Sequence, residues 1–113
     1  MLYLQSGNVK EGRQKEYQAW VKENEGAIEK HAPKGWLYRG TYGTVFGFGR
    51  FDTTTMWEIG KYGDLDASRE HQDETFVRLM EEWQEFLMPG AGEASLLREV
   101  GDLRIIEPKK PEK

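Results

Sequence analysis

Cysteine is missing from the chain, and that absence excludes thiol nucleophiles, thiolate metal sites and disulfide frameworks while fitting a reducing compartment. Proline is scarce, with 4 residues in 113, and each lies at the end of a patterned stretch or in the C-terminal tail. No apolar run approaches the length of a membrane span, and Met1 to Asn8 lacks the basic segment and long apolar stretch of a secretion signal. A cytoplasmic protein with no membrane partner is expected. Positive charge is not in excess either: 16 Lys and Arg stand against 20 Asp and Glu, for a net charge of -4. Nucleic-acid binding needs clustered cations, and here they are scattered among acids, so no nucleic-acid partner is expected. A chain of 113 residues buries roughly two-thirds of its unfolded surface without staples. One domain is expected over residues 1–108, with a disordered charged tail at 109–113.

What the chain has in abundance is a β pattern from Trp36 to Tyr62, rich in aromatic and β-branched residues and punctuated by Gly and Asp-Thr. It reads as two long strands joined at Phe51-Asp52-Thr53-Thr54. Trp36, Tyr38, Tyr42, Phe46 and Phe48 share the even parity of the first strand and thus one face of an unbroken pleat. A two-residue turn at Asp52-Thr53 places Phe48 opposite Trp57 and Phe46 opposite Ile59. The other parity of the second strand, Met56, Glu58, Gly60 and Tyr62, is not plainly polar, so burial on both faces is expected.

Before this hairpin, Met1 to Gly7 reads as a short strand tied down by neighbours on both sides, hence a central one. From Arg13 the period turns helical, with Tyr17, Trp20, Val21, Asn24, Ile28 and His31 on one face, until Ala32-Pro33-Lys34-Gly35 stops it. After the hairpin, Asp64 is the expected N-cap of a helix from Leu65 to Met88. Its apolar stripe (Leu65, Phe76, Leu79, Met80, Trp83, Leu87) lapses between Ala67 and Gln72, which calls for a break near His71 to Asp73. Arg69/Asp73 and Glu74/Arg78 have the spacing of helix-surface ion pairs. Pro89 to Gly92 reads as a loop, Glu93 to Val100 as a short helical turn, and Leu103 to Glu107 as the last strand.

Strand, helix, strand, strand, helix, strand is the order of an α+β, ferredoxin-like βαββαβ domain: a four-stranded antiparallel sheet with two helices on one face. Its other face stays bare, and a second copy of the same sheet is the expected cover, because a two-fold axis matches a patch to itself. In this order of elements over residues 1–107, and in the stretch from Trp57 through Tyr62 and Asp64 to Arg69, the chain resembles the dimeric α/β-barrel proteins, NIPSNAP-like members in particular. The resemblance implies a homodimer with internal pockets. Catalytic members of that group include haem enzymes, quinone-forming monooxygenases and polyketide cyclases, and a haem here would have to use His71.

Glu58 interrupts an apolar strand and carries two readings: an ion pair with an Arg of the neighbouring strand, which holds Arg39 and Arg50 and of which Arg50 is expected to come close enough, or a carboxylate of raised pKa poised as a general base. Tyr42 and His71 complete the candidate catalytic set, and Tyr38, Phe46, Phe48 and Trp57 the candidate pocket lining. His71 and Asp73 have the spacing of a His-x-Asp metal pair, but two ligands do not make a site, so neither metal nor cofactor is assigned. His31 ends the first helix, where an imidazolium meets the helix dipole favourably. Gly40, Gly43, Gly47 and Gly49 lie within strand pattern with no helix start behind them, so a bulge or close packing explains them better than a phosphate loop. Two functions follow. One is a small-molecule binder or cofactor-independent enzyme whose aromatic-lined pocket takes a small apolar or aromatic ligand; the other is a homodimeric assembly module without a cavity.

Overall fold

The computed structural model describes residues 1–47 and 50–101. In chain order the elements are β1 (Leu2–Gly7), α1 (Gln14–His31), β2 (Trp36–Gly43), β3 (Thr53–Ile59), α2 (Asp64–Glu70), α3 (Glu74–Phe86) and β4 (Glu93–Leu97). The strands form one four-stranded sheet in the order β2-β3-β1-β4, antiparallel throughout. This is the ferredoxin-like α+β arrangement, with β1 in a central position as its abrupt start suggested. Among the described residues, no helix is long and apolar enough to cross a membrane.

The alternation in β3 sets the layers. Thr53, Thr55, Trp57 and Ile59 are buried while Thr54, Met56 and Glu58 are half-buried, so the odd positions face the helices and the even ones the open side. Onto that inner side α1 packs Tyr17, Val21 and Ile28, and α3 packs Leu79, Trp83 and Phe86, with Val9 completing one core. Trp57 is 1% exposed. Its ring meets Trp36 at 5.4 Å, Tyr38 at 5.3 Å and Phe76 at 6.4 Å, all edge to face, the arrangement that suits aromatic quadrupoles. Its buried indole N–H donates to Gln5 Oε1 at 2.8 Å.

The hairpin is shorter than its pattern implied. Residues 44–52 connect β2 to β3, so Tyr38 rather than Phe48 lies opposite Trp57, and Trp36 rather than Phe46 lies opposite Ile59. Phe46 sits in the connection, 93% exposed, while Phe48 and Gly49 lie outside the described residues. The register also slips between Tyr38 and Gly40, leaving Arg39 as the extra residue of a β-bulge. Gly40 takes φ +118° there, and a Cβ would meet the Tyr42 ring at 3.1–3.3 Å, so glycine is the residue this bulge accepts. Beyond the bulge the parity reverses: Thr41 turns inward and Tyr42 outward. The hairpin aromatics therefore do not form a bare patch. Trp36, Tyr38 and Trp57 pack under the helices, and the open face is largely aliphatic, with Leu37 exposed and Leu2, Leu4 and Met56 half-buried.

Two further expectations change. Glu93 to Leu97 is not helical but forms β4 along the free edge of β1; pairing with a waiting edge overrides the local helical preference of that stretch. Leu103 to Glu107 and the tail 109–113 lie outside the described residues. Asp64 does not cap a helix but begins one, and its carboxylate turns back to accept from the Gly60 and Lys61 backbone N–H groups at 3.0 and 3.1 Å. The break at residues 71–73 is present, and Asp73 is the true cap, accepting from Phe76 N at 2.9 Å. Arg78 pairs with Glu82 at 3.2 Å and Asp73 with His31 at 2.8 Å, in place of the expected Glu74/Arg78 and Arg69/Asp73 pairs.

Removing the Trp57 ring leaves a cavity under both helices. Trp57→Ala is expected to cost about 3–5 kcal/mol in a urea titration, whereas Phe46→Ala, at an exposed loop position, shifts stability by no more than about 0.5 kcal/mol.

Candidate functional site

Between α3 and the helix-facing side of β1, β3 and β4 lies a cleft of about 280 Å³. Met80, Trp83 and Leu87 of α3 and its continuation form one wall, and Gln5, Thr53 and Thr55 contribute to the sheet side. Thr53 and Thr55 are only 5% and 3% exposed. They stand two apart on one strand face, where β-branched residues suit the pleat, yet each also brings a hydroxyl into a mostly apolar layer.

Those hydroxyls are held in two short chains. In the first, Trp83 Nε1–H donates to Tyr17 Oη at 3.1 Å, and Tyr17 Oη and Thr53 Oγ1 are 2.8 Å apart. Burial pushes the Tyr17 phenol up from its ordinary pKa, which keeps it neutral. In the second, Thr55 Oγ1 lies 3.0 Å from Thr41 Oγ1, Thr41 Oγ1 lies 2.6 Å from Tyr38 Oη, and Tyr38 O–H donates to Glu25 Oε1 at 3.0 Å. Tyr38 is likewise pushed up, chiefly by burial, with the Glu25 carboxylate adding to the effect. Tyr17 and Thr53 also line a second, more open cleft of about 560 Å³ between α1 and the end of the β2–β3 hairpin, rimmed by Gln18, Lys22 and Glu25. The Tyr17–Thr53 pair is thus a wall common to both.

The residues singled out from the sequence fall in four separate places. Tyr38 and Trp57 are inside, under the helices. Glu58 and Tyr42 are on the open face: Tyr42 donates to the Arg39 carbonyl at 2.7 Å, and Glu58 Oε1 accepts from Arg39 Nε and Nη2 at 3.0 and 2.7 Å. The cation beside Glu58 is therefore Arg39 and not the expected Arg50, which pairs with Glu93 instead. Phe46 is exposed in the connection. Tyr17, Thr53, Thr55 and Trp83, which build the cleft, read from the sequence as packing or turn residues. The available signal was the parity that Thr53 and Thr55 share with Trp57 and Ile59 on one strand.

His71 lies at the α2–α3 break. Its Nε2 is 2.6 Å from the His31 carbonyl and must carry a proton to bond it, and its ring stands edge-on to Phe76 at 5.3 Å. A protonated Nε2 offers no lone pair, so His71 does not fit as a haem or metal ligand through that atom. Among the described residues, no three His, Asp or Glu side chains are grouped to hold a metal ion.

His31 Nδ1 meets Asp73 Oδ2 at 2.8 Å, tying the end of α1 to the cap of α3. The His31 hydrogen bond, followed by the Phe76 backbone N–H, holds the Asp73 carboxyl below the usual carboxylate range. A depressed folded pKa contributes stability that is fully present above the unfolded value of about 3.9. It is lost as pH falls through the folded value. Asp73→Asn is therefore expected to be less stable than wild type at pH 7, with the gap closing below about pH 4; paired denaturant titrations across that range check it.

The sequence matches no protein-family model and no curated protein. Solved structures do match in fold. An uncharacterised NIPSNAP domain protein from Burkholderia xenovorans aligns with a TM-score of 0.70 at 14% identity, over 91% of this chain and 97% of that one. A NIPSNAP family protein from Agrobacterium tumefaciens gives 0.63 at 16% identity, over 91% and 97%. A candidate antibiotic biosynthesis monooxygenase from Caulobacter crescentus gives 0.55 at 17% identity, over 88% and 89%. At such identities the likeness is one of fold, and in fold this chain is similar to NIPSNAP domain proteins and to antibiotic biosynthesis monooxygenase-like structures.

Proposed function

We propose that the protein is a homodimer that binds a small neutral molecule, aromatic or aliphatic with a polar group, in the cleft between α3 and the sheet. The observation that carries this reading is the pair of nearly buried threonine hydroxyls, Thr53 and Thr55, on the wall of a 280 Å³ space where the apolar Met80, Trp83 and Leu87 meet the amides of Gln5 and Gln84. Ligand sites combine apolar walls with a few placed polar groups in volumes of roughly 300–1,000 Å³, and this cleft, just below that range, suits a small ligand. Glu93, the charged residue at the cleft, has the open-face parity of its register partner Ser6 and is paired by Arg50, so a neutral ligand suits the cleft better than an ion. A cavity beside the aromatic core also favours binding over a purely structural module, for which the interior could be solid.

The homodimer rests on the open sheet face and on the fold shared with the NIPSNAP structures. Leu2, Leu4, Leu37, Met56 and Leu97 lie on that face around the Arg39–Glu58 pair. A second copy turned by a two-fold axis would cover them, and with them Glu58 and Tyr42, which then serve the interface.

Ligand-observed NMR with a panel of neutral phenols, ketones and amides is expected to find binders, and Ala94→Trp, which fills the cleft from an exposed strand position, should weaken them at least about tenfold. Equal binding to this variant would remove the ligand from the cleft. Light scattering is expected to report twice the 13.1 kDa chain mass for wild type and the single mass for Met56→Glu, which puts a charge in the apolar face. A wild-type monomer at micromolar concentration would reject the dimer.

A further inference from the structure

The second hydroxyl chain has a direction, and the direction specifies what the cleft binds. A carboxylate accepts hydrogen bonds and does not donate them, so the Tyr38 proton points at Glu25 Oε1, 3.0 Å away. With that proton committed, the 2.6 Å contact between Tyr38 Oη and Thr41 Oγ1 must be bridged by the Thr41 proton. The 3.0 Å contact between Thr41 Oγ1 and Thr55 Oγ1 must then be bridged by the Thr55 proton. Each hydroxyl has one proton and two lone pairs, so the chain ends at Thr55 with its donor used and a lone pair remaining. Thr55 lines the cleft, and Glu25 does not, lying instead on the rim of the neighbouring one.

Resting on the ligand reading of this cleft, we infer that Glu25, acting through Tyr38 and Thr41, fixes Thr55 as a hydrogen-bond acceptor, so that the bound molecule presents a hydroxyl or N–H donor to it. Glu25 is a positioning residue here: it touches no ligand and sets which way three hydroxyls point. Thr55 is 3% exposed, and its burial raises the cost of a mismatch, because an acceptor-only ligand would face the Thr55 lone pair with no proton between them. A neutral phenol, alcohol or amide N–H fits; an ether or ester oxygen at the same point does not.

The test compares two probes of which the second carries a methyl in place of that proton, 4-ethylphenol and 4-ethylanisole, with dissociation constants measured by ligand-observed NMR at neutral pH. Wild type is expected to favour the phenol at least about tenfold, the scale on which a buried site that hydrogen-bonds a ligand rejects the analogue lacking the bond. Glu25→Gln can present either an N–H or an oxygen to Tyr38 and so releases the polarity of the chain. In this variant the preference should fall to about twofold or less, because a Thr55 free to donate lets the anisole bind more tightly while the phenol constant changes little. Thr41→Val, which breaks the chain at its middle while keeping the shape of the side chain, should do the same. Equal affinity of wild type for both probes overturns the inference and leaves the ligand cleft standing. A preference that survives in Glu25→Gln and Thr41→Val also overturns it, since some other group would be reading the proton. Failure of both probes to bind at millimolar concentration removes the ligand reading and the inference together.

Discussion

The structure turns on the burial of one indole. Trp57 sits at the centre of the sheet's inner side with Trp36, Tyr38 and Phe76 edge-on around it, and its N–H finds Gln5 across the β1–β3 ladder. A buried indole needs both a matching apolar surround and a hydrogen-bond partner. Those two demands are met in one register only. A slip of one residue in β3 would send Trp57 and Ile59 to the open face and bring Glu58 under the helices. Pairing Tyr38 with Trp57, and Tyr3 with Trp57 on the other side, follows from where this ring must go. The helices then dock on the aromatic platform through Ile28, Leu79 and Phe76.

The bulge at Arg39 is the second determinant, and it acts on function more than on stability. Without it Tyr38, Gly40 and Tyr42 would share one face. With it, Tyr38 stays inside, Thr41 follows it, and Tyr42 goes outside to bond the Arg39 carbonyl. The extra residue also puts the Arg39 guanidinium beside Glu58. One inserted position thus creates both the inner hydroxyl chain and the ion pair of the outer face. Bulges recur where a strand must re-aim its side chains, and this one re-aims two tyrosines to different sides.

The inner face is in consequence an aromatic core crossed by hydroxyls. Tyr17, Thr53 and Trp83 form one polar seam, and Tyr38, Thr41 and Thr55 the other. Such groups are tolerated in a core when each is paired, and among the described residues no buried side-chain polar atom is without a partner. The cleft lies where α3 stands over β1 and β4, next to both seams. Its chemistry is therefore that of neutral hydroxyls held in place, while the charged pair Arg39–Glu58 belongs to the other side of the sheet.

Much of the architecture was legible along the chain. Period-two and period-3.6 patterns, Pro33, Gly35 and the lapse before Asp73 mark β1, α1, the hairpin and the two-part second helix, because local periodicity is what each element's burial imposes. The ferredoxin-like order follows from them. The cleft was not legible: Tyr38 and Trp57 face inward but do not line it, and Thr53, which does, reads as part of the turn until β3 is known to begin there. Parity was decided by the tertiary structure. A single bulged residue at Arg39 is invisible to a period-two count, yet it reverses every side chain after it. The same holds for β4, where Glu93 to Leu97 has no strong strand pattern of its own and becomes a strand because the edge of β1 offers its N–H and C=O groups. Sequence alone determined which segments are regular and which residues are apolar enough to be buried; only the assembled sheet decided which face each side chain occupies, because register is a property of two strands and not of one.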